Sequence, residues 1–239
     1  MRNLPGILII MAAQFAGWNV FGQGTLQNLN FESANGLPNL GPGQTAFVPF
    51  GNALPGWTGY VGGTNQATQA LYNSISAGGA LISLIGRSSG SYSNAVIAGN
   101  YTATLDAGEF TDMNGVNYFA PAAIAQAGTV PATAQSLRFA AAGNVAGALA
   151  VTFNGQNVNF YPLSAGANYE IYGADISAFA GQTGELRFTE NSIVSNPFAI
   201  ATLDNIIFST SSIPEPGTCG LILCGAVVFG VNRWRKRHF

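Results

Sequence analysis

The chain has 239 residues, only 8% of them charged, and a formal net charge of −2. Ordinary soluble domains carry roughly 25% charged residues, but with 48% hydrophobic residues a folded core is expected and a largely disordered chain is excluded. Residues 23–213 hold three arginines, no lysine and nine carboxylates, a net charge of −6 that repels phosphate backbones and argues against nucleic-acid binding.

At the N-terminus Arg2 precedes a mostly apolar run over 4–20. Gln14 and Asn19 interrupt that run, making it too weak for a stable membrane span. Val20 and Gly22 supply small residues before Gln23. This is the pattern of a secretory signal peptide over 1–22.

The body, expected over 23–208, shows short β-rich runs punctuated by Gly, Asn, Pro and Ser, with no long 3.6-residue period. Strands are expected at 26–32, 57–61, 80–84 and 101–105, then at 136–140, 169–172, 185–189 and 198–209. Asp106, Glu109 and Asp112 read as a solvated loop; Asp112 and Asn114 with Gly115 only begin an EF-hand pattern that does not continue. The Ala-rich stretch 122–135, between Pro121 and a segment containing Pro131, reads as a loop.

The clearest unit is GALAVTFNGQNVNFYPL. Asn154-Gly155 favours a type I′ turn. A two-residue loop pairs Phe153 with Gln156, Val151 with Val158 and Leu149 with Phe160 on an apolar face. Thr152 with Asn157 and Ala150 with Asn159 form the polar one. About ten strands give an all-β, two-sheet antiparallel sandwich.

Cys219, Cys224 and His238 all lie near the C-terminus. The body therefore has no disulfide, no thiolate metal site and no histidine base, and most hydrolase and metalloenzyme mechanisms are removed from it. Nothing in its nine carboxylates singles out a catalytic pair, so a non-enzymatic protein is expected. Trp57 is read as core. The tyrosines show no visible cluster for stacking on a sugar.

A Ser/Pro-rich linker (209–213) leads to Pro214-Glu215-Pro216. An apolar run over 217–234 follows, then Arg233, Arg235, Lys236 and Arg237. As a helix the run reaches roughly 27 Å, a tight span of a hydrocarbon core about 30 Å thick. The basic cluster acts as a cytoplasmic stop, which leaves the body on the side a signal peptide requires.

Residues 214–239 resemble the PEP-CTERM sorting signal of Gram-negative bacteria. That resemblance implies exosortase as the processing partner, a membrane helix before processing, and a final place in the cell envelope or outside the cell, often beside exopolysaccharide. The opening (LQNLNFESANG to LPGWTGY) and closing (GELRFTENS to ATLDNIIFS) segments look like those of galactose-binding-like jelly-roll domains. This second resemblance implies a structural calcium between first and last strands, with Glu32 and Asp204 as ligands; the other reading of these acids is hydrogen-bonded and structural. It also raises the alternative of a secreted carbohydrate-binding module and, behind it, a glycan-active enzyme. Strict alternation along 198–209 puts Asp204 on the face of Ile206 and Phe208.

Overall fold

The computed structural model describes residues 24–76 and 78–213. The expected signal peptide (1–22), Pro214, Glu215 and Pro216, the helix 217–234 and the basic cluster all lie outside the described residues. Among those described, no helix is long and apolar enough to cross a membrane.

In chain order the strands are β1 (Ala46–Pro49), β2 (Thr58–Val61), β3 (Asn65–Gln66), β4 (Gln69–Tyr72), β5 (Leu81–Gly86) and β6 (Tyr101–Asp106). There follow β7 (Gly108–Thr111), β8 (Asn117–Ala120), β9 (Ala122–Thr129), β10 (Ser136–Gly143) and β11 (Leu149–Phe153). The last are β12 (Gln156–Asn157), β13 (Phe160–Ala165), β14 (Glu170–Asp175), β15 (Thr183–Glu190) and β16 (Ile200–Ser209). One sheet runs β1-β4-β5-β6-β16-β10-β14-β13, a second runs β12-β11-β15-β9-β2-β3, and β7-β8 forms a separate hairpin. Neighbours are antiparallel except the parallel pair β4-β5. The all-β, sandwich-like arrangement expected from the sequence is present.

Period-two alternation builds the core. Leu84, Leu105, Leu203 and Phe139 from the first sheet and Ile124, Phe188, Val151 and Phe153 from the second are all buried in one cluster. Each such side chain contributes about 1.5–3 kcal/mol relative to remaining in water. Trp57 belongs to the same core, with its ring centroid 5.8 Å from Phe31 and 6.4 Å from Phe188.

Three expectations are corrected. Residues 26–32 form no strand, because Asn28 and Phe31 take positive φ of 48° and 58°, which breaks extension. The segment is instead pinned by a side chain: the Gln126 amide accepts from Gln27 N–H and donates to Gln27 O at 3.0 Å. Leu26, Leu29 and Phe31 are nevertheless buried.

Residues 122–129 of the expected loop are the eight-residue strand β9, paired on both edges with β2 and β15. Pro121 precedes the strand and Pro131 follows it, where neither costs a ladder bond. The small side chains have a packing reason. Ala123 lies opposite Tyr60 and Ala125 opposite Arg187, and the Arg187 guanidinium covers the Tyr60 ring at 4.2 Å. These larger neighbours roof the alanine face.

The 149–160 hairpin turns where expected, with Asn154 and Gly155 at φ 50° and 74°, and its first rungs are Phe153–Gln156 and Thr152–Asn157. Val158 still donates to Val151 O. Phe160 then leaves to pair with Ala174 in the other sheet, so the expected Leu149–Phe160 rung does not form; on its other edge Leu149 lies opposite Glu190.

The sandwich has two distinct ends. The loops 107–121 and 191–199 join β6 to β9 and β15 to β16 at one end, where the β7-β8 hairpin stands. At the other, Thr25 N–H reaches Thr129 O and Ser209 lies opposite Ser136. The described chain therefore enters at Gly24 and leaves at Ile213 on the end away from the hairpin.

Candidate functional site

The outer face of the first sheet carries a polar row that is nevertheless buried: Ser83, Thr102, Thr104, Asp106, Thr202 and Asp204. Asp204 reaches this face through a β-bulge. The β10-β16 register slips between Arg138 and Ala140, and Asn205 has φ 48°. That extra residue places Asp204 opposite the face of Ile206 and Phe208, correcting strict alternation.

The two acids expected to act together do converge, on one loop. Asp204 Oδ2 accepts from Ala98 N–H at 3.0 Å and the Thr102 hydroxyl at 2.8 Å, while Oδ1 accepts from Asn205 N–H at 2.7 Å. Glu32 Oε1 accepts from Asn100 and Tyr101 N–H at 2.7 and 3.0 Å, and Oε2 from the Asn100 amide at 3.0 Å. Phe31, in its left-handed conformation with the ring in the core, turns Glu32 toward this loop. Burial pushes the Asp204 carboxyl up to about 6, against its hydrogen bonds; the nearby Glu32 adds to the rise.

All four carboxylate oxygens thus face N–H or O–H hydrogens. Calcium binds through oxygen lone pairs. Asp204 Oδ2 and Glu32 Oε1 each accept two such bonds and are fully used, while Asp204 Oδ1 and Glu32 Oε2 accept one each and keep a lone pair. Among the described residues no group of three or more His, Cys, Asp or Glu is gathered for a metal.

Asp106 is no solvated loop residue. It ends β6, buried, with Oδ2 accepting from Ser76 N–H at 2.9 Å and Oδ1 without a partner. Burial pushes it up to about 7. Glu190 shares the core face of β15 with Leu186 and Phe188, between Ala122 and Leu149. It is 0% exposed, and neither carboxylate oxygen has a hydrogen-bond partner. Burial, and then the Asp106 charge, push it up to about 8. The sequence carried a signal for this: alternation from Leu186 through Phe188 lands Glu190 on the apolar face.

Glu109 lies in β7, and Asp112 closes the hairpin turn by accepting Asn114 and Val116 N–H at 2.9 and 2.8 Å. The hairpin end also concentrates exposed apolar side chains that sequence reading missed: Met113, Val116, Tyr118, Phe119, Val194 and Phe198. Phe110 meets Tyr118 edge-on at 5.6 Å, and Phe119 meets Phe198 at 5.2 Å with an interplanar angle of 84°. Distance in the chain hides the second pair. A groove beside the 149–160 hairpin, lined by 149–151 and 157–160, carries no titratable side chain.

No protein-family model and no curated protein matches the chain. Among solved structures it is similar to the secreted serine protease VesC from Vibrio cholerae at 12% identity, with a TM-score of 0.32, covering 74% of this chain and 45% of that one. The chain spans less than half the length of that protein, and so loose a superposition bears on neither fold nor activity.

Proposed function

We propose that the chain is an exported, non-enzymatic component of the cell envelope or extracellular matrix, sorted through Pro214-Glu215-Pro216 and processed by exosortase. The helix 217–234 is its temporary anchor, and Arg233, Arg235, Lys236 and Arg237 are the cytoplasmic stop. One observation carries the reading: motif, apolar run and basic cluster follow in that order directly behind the folded body. Ser136 donates to Ser211 O at 2.7 Å and Ile213 is buried, so the described body is packed up to the residue that precedes Pro214 in sequence. The absence of His and Cys from the body supports a role without catalysis.

Intact-mass spectrometry of the exported protein tests this. A C-terminus near Pro214–Pro216 is expected; a chain still ending at Phe239 contradicts processing. Changing Pro214 and Pro216 to Ala is expected to leave unprocessed, membrane-bound protein.

A second reading is a carbohydrate-binding module on a jelly-roll scaffold. The exposed Tyr118, Phe119 and Phe198 rings favour it, since sugar rings stack on such surfaces. A glycan array without binding above background counts against it. A glycan-active enzyme needs two carboxylates roughly 5–9 Å apart across a cleft.

A further inference from the structure

Gly173 stands inside β14, where a glycine weakens the strand and often marks the close approach of another segment. Its neighbours Tyr172 and Ala174 lie in the core. Position 173 therefore opens on the outer face of the larger sheet, between Arg138 of β10 and Tyr161 of β13. Its backbone is not left-handed, so conformation does not call for glycine there. Space does. A Cβ at this position would collide with Ile213 Cδ1 and stand 2.6 Å from Leu163 Cδ1. The missing side chain is the seat of Ile213, which is 8% exposed.

Two hydrogen bonds hold the segment that leads to the seat. Ser211 N–H donates to Ser209 Oγ at 3.1 Å, and Ser211 O accepts from the Ser136 hydroxyl at 2.7 Å. Ser136 is itself fully buried. Thr210, Ser211 and Ser212 are exposed, so the exit segment is a strap, tied to the sheet by one hydroxyl and one isoleucine.

We propose that this strap is an autoinhibitory latch on processing: while Ile213 is seated, the residues ahead of Pro214 are withheld from exosortase, and release of the strap limits the rate. The latch rests on the sorting reading above. A peptide added to another protein as an extended strand pairs its backbone groups and places alternate side chains in pockets. For a cut near Pro214–Pro216, residues 211–213 lie on the amino side and would be held in this way. In the seated strap both backbone groups of Ser211 are bonded and the Ile213 side chain is covered, so neither is free for a second partner. A segment whose binding-competent form is only fractionally populated is bound more weakly by that fraction. Burial of an isoleucine shifts such an equilibrium by roughly tenfold or more.

Pulse–chase of the exported chain, with intact mass at each time, reads the processing rate. Hydrogen exchange over 210–213 in the purified exported protein reads the strap without exosortase. Gly173→Val fills the seat from a strand remote from the motif in sequence. It should loosen 210–213 and speed processing roughly tenfold. Ile213→Ser should do the same without altering a strand, and serves alone if Gly173→Val does not fold. Gly155→Ala weakens a turn of the other sheet and should leave the rate as it was, which separates the latch from general loss of stability. Equal acceleration in Gly155→Ala, or exchange over 210–213 in the unaltered protein as fast as in free chain, overturns the proposal. So does a loosened strap with an unchanged rate, which leaves the sorting reading standing. A chain ending at Phe239 in the unaltered protein and in every variant overturns both.

Discussion

Glu190 is a carboxyl buried among apolar neighbours with no hydrogen-bond partner, and in that setting its neutral form is favoured. Its folded value of about 8 lies above the ordinary 4.5; Asp106 at about 7 and Asp204 at about 6 are raised from 3.8. The folded state therefore holds more protons than the unfolded one between roughly pH 4 and 8, and stability falls as pH rises through that window. Thermal melting is expected to show a higher midpoint at pH 5 than at pH 8. Glu190→Gln should flatten this slope and raise the pH 8 midpoint by about 3 °C or more, corresponding to roughly 1 kcal/mol in a domain this size. A midpoint that climbs steadily from pH 5 to pH 8 would contradict the assignment.

At the level of elements, the 149–160 hairpin rests on its turn. Gly155 sits at φ 74° and Asn154 at φ 50°, and Asn154 Oδ1 also accepts Glu185 N–H at 3.0 Å from the neighbouring strand. Gly155→Ala is expected to destabilise by about 1 kcal/mol through left-handed backbone strain alone, measured by denaturant unfolding; no loss would mean the turn relaxes without cost. This turn was legible in the sequence because Asn-Gly chemistry is local. Strand β9 was not legible, since alanine ranks low for strands and only the roof of Tyr60 and Arg187 makes small side chains suitable there. The opening segment misled because Leu26, Leu29 and Phe31 look like strand residues, while the backbone between them is held at Gln27 by the Gln126 amide, 99 residues away. Likewise Glu32 and Asp204 were legible as a pair at the start and close of the body. The bulge that turns Asp204 outward, and the loop both acids hold, depend on contacts that no local pattern encodes.

For the whole molecule, the question is whether the domain needs a cation. Each oxygen of Glu32 and Asp204 already accepts a hydrogen bond, so a chelator is expected to leave the melting midpoint unchanged; a drop of several degrees would instead place calcium at these acids.

The position of β16 has a mechanical consequence. It is an inner strand of the larger sheet, bonded to β6 on one edge and β10 on the other, and it is the last strand before the exit at Ile213. A pull on the chain at that exit runs along the strand axis. Both ladders are then loaded in shear, with many rungs bearing force together, instead of opening one rung at a time as when an outer strand is peeled away. A domain held by this end while drag acts on its hairpin end would resist extraction with its strongest geometry.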